Sequence, residues 1–423
     1  LFFQGNNGII QPNLFIMLVT ESAMPLQKSL KKLITCACLL AVSAFSYANS
    51  WQETLQEARG QTVYMNAWGG SESVNDYLFW ASHQLKDRYG IILRHVKVDN
   101  ISTVVSRILA EKTAGRDTNG SVDLVWINGE NFRAMKSNNL LFGPFANDLP
   151  NWRFIDPQDK PTTVMDFGEP TDGLEAPWGM AQLVFINDTE TVPNPPDSVQ
   201  ELLAFSQKNP GLFTYPAPPD FIGTTFLKQA LSELTPHPER LLQPVSEEDF
   251  DQVTQPLWNY LDKLHPNLWR SGRTFPTSAT TMIPLLDDGE LAISLTFNPN
   301  EVSAAINKGQ LPDTMRTYVH SNGTIGNTHF LAIPYNSSAK AAAEVVINFL
   351  MSPEAQLHKA DPKVWGDPTV LSTGKLDTAQ AKAFQNQKLG IATLHPEELG
   401  TPRPEPDPSW VDALEKAWLQ RYR

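Results

Sequence analysis

Between residues 61 and 127 short apolar runs alternate with amphipathic helical stretches, which restricts the chain to βα units around a largely parallel sheet. Residues 61–68 read as a strand, and Gly69, Gly70 and Ser71 as a turn and helix start. Val74, Tyr77, Leu78, Ala81 and Leu85 then share one helical face, which Gly90 ends. A second strand is expected at 91–98. A second helix places Ile101, Val104, Val105, Ile108 and Leu109 together. Residues 122–127 are nearly all apolar, as a strand covered on both faces should be.

Residues 149–176 are rich in Pro, Asp and Gly with no sustained period and are expected to form a surface excursion. Residues 178–187 read as a strand crossing into a second lobe. That lobe continues with a capped helix near Asp197, a strand at 212–215, a Pro-rich loop leading to a helix near Thr224 or Thr225, and a helix at 282–286 stopped by Gly289. A strand at 291–297 follows. Later, Ala342, Val345, Val346, Phe349 and Leu350 form an apolar stripe, and Ser352 and Pro353 have the order of an N-cap and first helical residue. A last helix holds Trp410 and Trp418.

Leu1, Phe2, Phe3, Gln4 and Gly5 look like a protease-site scar, and nothing up to residue 23 has an interpretable pattern. From Met24 the three-part layout of a secretory signal is present: Lys28, Lys31 and Lys32, an apolar run over 33–45, then Ser46, Tyr47 and Ala48. The run is short of the ~18–20 residues that span a bilayer. Cleavage after Ala48 would remove both cysteines, Cys36 and Cys38, leaving no disulfide, thiolate metal site or thiol nucleophile. It would also remove three lysines and Glu21, taking the formal charge from −13 to −15. So acidic a surface argues against nucleic acid or anionic membrane as a partner.

Four ordered segments carry a resemblance. They are residues 62–70 (TVYMNAWGG), 122–126 (VDLVW), 289–298 (GELAISLTFN), and 327–334 (NTHFLAIP) with the helix and break that follow to Pro353. Together they resemble the extracellular solute-binding proteins of ABC importers, type II, in the YnjB-like branch related to the thiamine, polyamine and iron(III) binders. The resemblance implies an α/β clamp of two lobes, each a mainly parallel sheet flanked by helices, joined by crossing strands and closing by a hinge. Lobe 1 is expected from 49–180 and 299–327, and lobe 2 from 181–298 and 328–423, with 289–298 as the strand returning to the first lobe. It also implies a periplasmic monomer that captures a small molecule, serves a membrane permease, carries no cofactor and catalyses nothing.

Ligands of open α/β sheets sit beyond the carboxyl ends of strands, which selects candidate contacts. From the first lobe these are Trp68, Gly69, Gly70 and Ser71, then Trp126, Asn128, Gly129 and Glu130, with Trp178 at the crossing. From the second come Asp220, Gly223, Thr224 and Thr225 at a helix start, where capping is the commoner task of Asp220 or Thr224. Asn298 and Glu301 follow one strand and Asn327 precedes another. Tryptophans with Glu130, Asp220 or Glu301 would suit an organic cation such as thiamine or a polyamine, although glycines and helix starts also suit anions. Iron is disfavoured because no Tyr-Tyr pair occurs. The rival classes are an exported hydrolase, for which no Gly-x-Ser-x-Gly elbow or phosphate loop is present, and a solute sensor feeding a membrane kinase.

Overall fold

The computed structural model describes residues 51–423. The chain divides into the units Leu1–Thr54 and Leu55–Arg423. Of the first, residues 51–54 are described and are helical, and the expected leader at 24–48 lies outside the described residues.

Within Leu55–Arg423 the first lobe is built on strands β1 (Thr62–Trp68), β2 (Ile92–Val98) and β3 (Leu124–Ile127), which pair in parallel in the order β2-β1-β3. The helix Glu72–Tyr89 links β1 to β2. All five of its expected apolar positions are buried, and Gly90 caps it in the left-handed conformation at φ 68°. Val104, Val105 and Ile108 of the helix Ile101–Thr113 pack on Val125, Ile127 and Phe330.

A tight hairpin of β4 (Met165–Asp166) and β5 (Glu169–Pro170) precedes β6 (Glu175–Gln182) and β7 (Val184–Asp188). In the second lobe β7 lies between β8 (Ile293–Thr296) and β9 (Met315–Tyr318), antiparallel to both. Helices Val199–Lys208, Phe221–Leu234, Glu247–Leu264 and Ser409–Tyr422 enclose this sheet. Phe185, Phe213, Phe226, Trp258 and Trp418 share their core. Finally β10 (Gly326–Ala332) lies between β3 and β6, antiparallel to each.

The α/β clamp is therefore assembled from one mixed sheet and one antiparallel sheet, so the second lobe lacks the mainly parallel sheet expected of it. The chain leaves the first sheet at Leu183 and re-enters it at Ile325, and the two passages are fastened where the Leu183 amide donates to the Ile325 carbonyl at 2.8 Å. This corrects the expected division. Residues 315–318, assigned to lobe 1, pair with β7 in the second sheet, whereas 328–332, assigned to lobe 2, lie in the first. The strand at 289–298 does not return to lobe 1: β8 stays beside β7, and β10 makes the return. Residues 149–176 are also more than a surface excursion, since Thr163, Asp166, Phe167 and Glu175 are buried. At 212–215 a single bridge, Phe213 to Ile293, forms among the described residues in place of the expected strand.

Candidate functional site

Pairing of Asn66 with Val125 puts Trp68 on the sheet face of Asn66 and Val125, and Trp126 on the opposite face. Trp68 is partly exposed, at 36%, and folds over Gly70, where an added Cβ would lie 2.5 Å from its ring. Gly69 donates to Val98 O and accepts from Asn75. Ser71 occupies the N-cap position without a side-chain cap. The two tryptophans therefore do not converge.

Trp126 instead enters an aromatic box. Its ring centroid lies 4.9 Å from Trp178, 5.1 Å from His329 and 5.8 Å from Trp365. Trp178 is fully buried and its Nε1 has no partner among the described residues, so it is a core residue of the box rather than an open cleft wall. Gly179 is what lets the box close, because a Cβ there would come within 2.2 Å of both His329 and the Asp367 carboxylate. Asp367 accepts from His329 at 3.1 Å and pairs with the buried Lys359 ammonium. Lys160 donates to Thr369 O and Leu371 O, and burial pushes its pKa down to about 8. The segment 365–371 is thereby pinned to the first lobe.

The second lobe docks on that segment. Asn298 Nδ2 donates to Trp365 O at 3.4 Å and Asn300 Nδ2 donates to Gly366 O. Gly366 is in the left-handed region at φ 78°, and a Cβ on it would lie 2.4 Å from that of Asn300. Glu301 accepts from Thr296 Oγ1, and burial raises its pKa. At the rim Lys308 Nζ reaches Glu72 at 3.3 Å, beside a crevice of about 380 Å³ between Ser73 on one side and Ala304 and Asn307 on the other.

A second constellation lies beyond β3. Gly129, at φ 60°, donates its amide to Asp166 Oδ2 at 2.7 Å, and Asn131 donates to Glu130 Oε1 at 2.7 Å. Lys228, at 1% exposure, pairs with Glu405 at 2.6 Å, and Asn327 donates to the other oxygen of Glu405 at 2.8 Å. The Lys228 ammonium stands 4.7 Å from the ring centroid of Phe167 and 5.6 Å from that of Phe221. Thr224 donates to Glu415 at 2.7 Å. Burial raises the pKa of Glu130 to about 7. Lys228 opposes that shift, and Glu415 and Asp412 add to it. Burial likewise raises Asp166 well above the usual carboxylate range, and Glu415 above its ordinary value.

The remaining candidates serve the helix start. Asp220 Oδ1 accepts from the amides of Ile222 and Gly223, so its oxygen is used as an N-cap. Thr225 donates to Phe221 O, and a Cβ on Gly223 would lie 2.1 Å from Pro216 O. Those two are packing residues. Asn128 is half-buried beside the acidic constellation. The sequence reading missed Phe167, Lys228, Trp365, Glu405 and Glu415. Lys228 alone left a trace, as a single cation among the apolar residues Phe226, Leu227, Ala230 and Leu231. Among the described residues no group of three His, Cys, Asp or Glu is placed to hold a metal ion. None of the described helices is long and apolar enough to cross a membrane.

Comparison with known proteins gives consistent matches. The family described as bacterial extracellular solute-binding protein matches residues 80–386. Protein YnjB of Escherichia coli (strain K12) is 49% identical over 391 residues, which is 92% of this chain and 98% of that protein. The spermidine/putrescine ABC transporter substrate-binding protein PotD from Streptococcus pneumoniae is 16% identical at a TM-score of 0.58, over 86% of this chain and 98% of that one. AfuA from Actinobacillus pleuropneumoniae, a periplasmic binding protein with fructose-6-phosphate bound, is 14% identical at a TM-score of 0.59, over 86% and 98%.

Proposed function

The chain belongs to the bacterial extracellular solute-binding proteins, and from that membership we propose that it captures a small organic cation between its lobes and delivers it to the membrane permease of an ABC importer. The observation that carries the reading is the charge balance at the seam. Glu130, Glu405 and Glu415 gather around one ammonium, Lys228, which is already committed to Glu405, and Asp412 adds negative charge beside Glu130 and Glu415. Burial keeps Glu130 poised near pH 7 rather than fully ionised, so a guest bearing positive charge gains from ionising it. Trp126 adds an aromatic face, and such faces attract cations by ~0.5–2 kcal/mol.

Closure is a ligand-biased equilibrium and requires contacts stronger in the closed form. Asn298 and Asn300, reaching the Trp365 and Gly366 carbonyls from the opposite lobe, are suited to supply them. In this reading Trp126, Glu130, Asn298 and Glu301 face the guest, with Trp68 and Ser71 at the rim. The protein works in the periplasm after removal of its leader, as a monomer, without cofactor and without turnover.

Native mass spectrometry of protein purified without unfolding tests this. A co-purifying small organic cation, released on denaturation, is the expected result. A co-purifying sugar or organic anion contradicts the cationic guest, and chemical conversion of added cations contradicts the binding role.

A further inference from the structure

Lys228 sits in the surroundings that a cation receptor would offer its ligand. Its ammonium lies between the face of Phe167, from the β4–β5 hairpin of the first lobe, and Phe221, from its own helix, with Glu405 at 2.6 Å. Glu405 belongs to neither sheet. It comes from the C-terminal segment that runs beside the crossing, where the Gly326 amide donates to Arg403 O and the Arg403 amide to Thr324 O. Asn327 holds its second oxygen. Three separate parts of the chain thus converge on one ammonium at 1% exposure.

The hairpin that presents Phe167 is under strain. Phe167 adopts φ 46°, which a bulky residue rarely does, and Gly168 follows at φ 82°. The Phe167 ring fills the space beside Gly129, where a Cβ would come within 2.7 Å of it. Asp166 Oδ2, receiving the Gly129 amide, fixes the turn from its other side. Strain of this kind persists only where the surroundings over-determine it, and it concentrates at ligand clamps.

We propose that Lys228 is a specificity-determining residue: a resident ammonium that fills the cation seat made by Phe167, Phe221 and Glu405 and so denies that seat to an ammonium of the guest. The positive charge of the guest is left to Glu130 and Glu415, and guests carrying several ammonium groups are disfavoured. This rests on the cationic reading of the seam, but the seat itself is testable without the natural ligand.

Lys228→Ala opens the seat to an added alkylammonium. Thermal unfolding in ethylammonium chloride, against equal sodium chloride, is expected to show a saturable rise of about 3 °C or more in the variant, absent in wild type. The rise should be lost again in Lys228→Ala/Phe167→Ala. If Lys228→Ala does not fold unaided, the readout is its refolding yield, expected to recover in ethylammonium and not in sodium. Spermidine should also stabilise the variant by more than it stabilises wild type. No response of the variant to ethylammonium, or equal shifts with spermidine, overturns the proposal. Absence of any organic cation bound to wild type, together with a responsive variant, would remove the cationic guest and leave the seat standing.

Discussion

The ring of Phe167 occupies the place of a side chain at Gly129, and the two are locked together by the 2.7 Å hydrogen bond from the Gly129 amide to Asp166. A loop of the first lobe after β3 is thus keyed to a hairpin about forty residues later.

Gly129→Ala is expected to cost about 2–4 kcal/mol, because it combines a left-handed backbone with a Cβ driven into the ring. Gly168→Ala, at φ 82° but with open space around its Cβ, should cost only about 1 kcal/mol. Urea unfolding of both variants checks the difference. Equal losses would mean that the key between Gly129 and Phe167 carries no packing energy.

Asn298→Ala/Asn300→Ala removes the two hydrogen bonds by which the second lobe reaches the Trp365 and Gly366 carbonyls. At about 0.5–1.5 kcal/mol each, their loss should shift the population toward an open form by roughly 5- to 150-fold. Spin labels at exposed Arg94 and Lys208, one in each lobe, should report a longer and broader distance distribution. An unchanged distribution would show that these bonds do not hold the lobes together.

Stability should fall as pH rises from about 4.5 to 7. Glu130 is an acid whose folded pKa is raised, to about 7 from 4.5, so between those values the folded state binds more protons than the unfolded one. Its stabilisation is complete below the unfolded value and is lost as pH climbs through the folded one. Glu344, raised to about 7 by burial, adds a slope of the same sign. Thermal unfolding across pH 4.5–8 should therefore show a decline that Glu130→Gln reduces without abolishing. An undiminished slope in that variant would mean Glu130 titrates normally.

Trp178→Ala should destabilise by about 3–5 kcal/mol, since its ring is fully buried in the box with Trp126, Trp365 and His329. Trp68→Ala, at a partly exposed position, should cost under about 1.5 kcal/mol. Chemical denaturation separates the two, and similar losses would contradict the placement of Trp68 at the rim.

Local features were legible in the sequence because their physics is local. The apolar stripe of Glu72–Tyr89, its Gly90 stop, and the Ser352 cap ahead of Pro353 all follow from spacing and backbone preference. Asp220 is a cap for the same reason. Which strand crosses back was not legible, because β8 and β10 are both short strands of mixed polarity, buried throughout, and only pairing with distant strands separates them. The Lys228–Glu405 pair joins residues 177 positions apart. Phe167 lies in a stretch with no period, and its importance comes from a turn conformation that favours glycine.

Isothermal titration of the protein with thiamine, spermidine, a sugar phosphate and a dicarboxylate decides whether the guest held between the lobes is a cation. Saturable heat is expected with an organic cation, weakened about tenfold or more by Glu130→Gln, and none with the anions. Binding confined to the sugar phosphate or the dicarboxylate would contradict it.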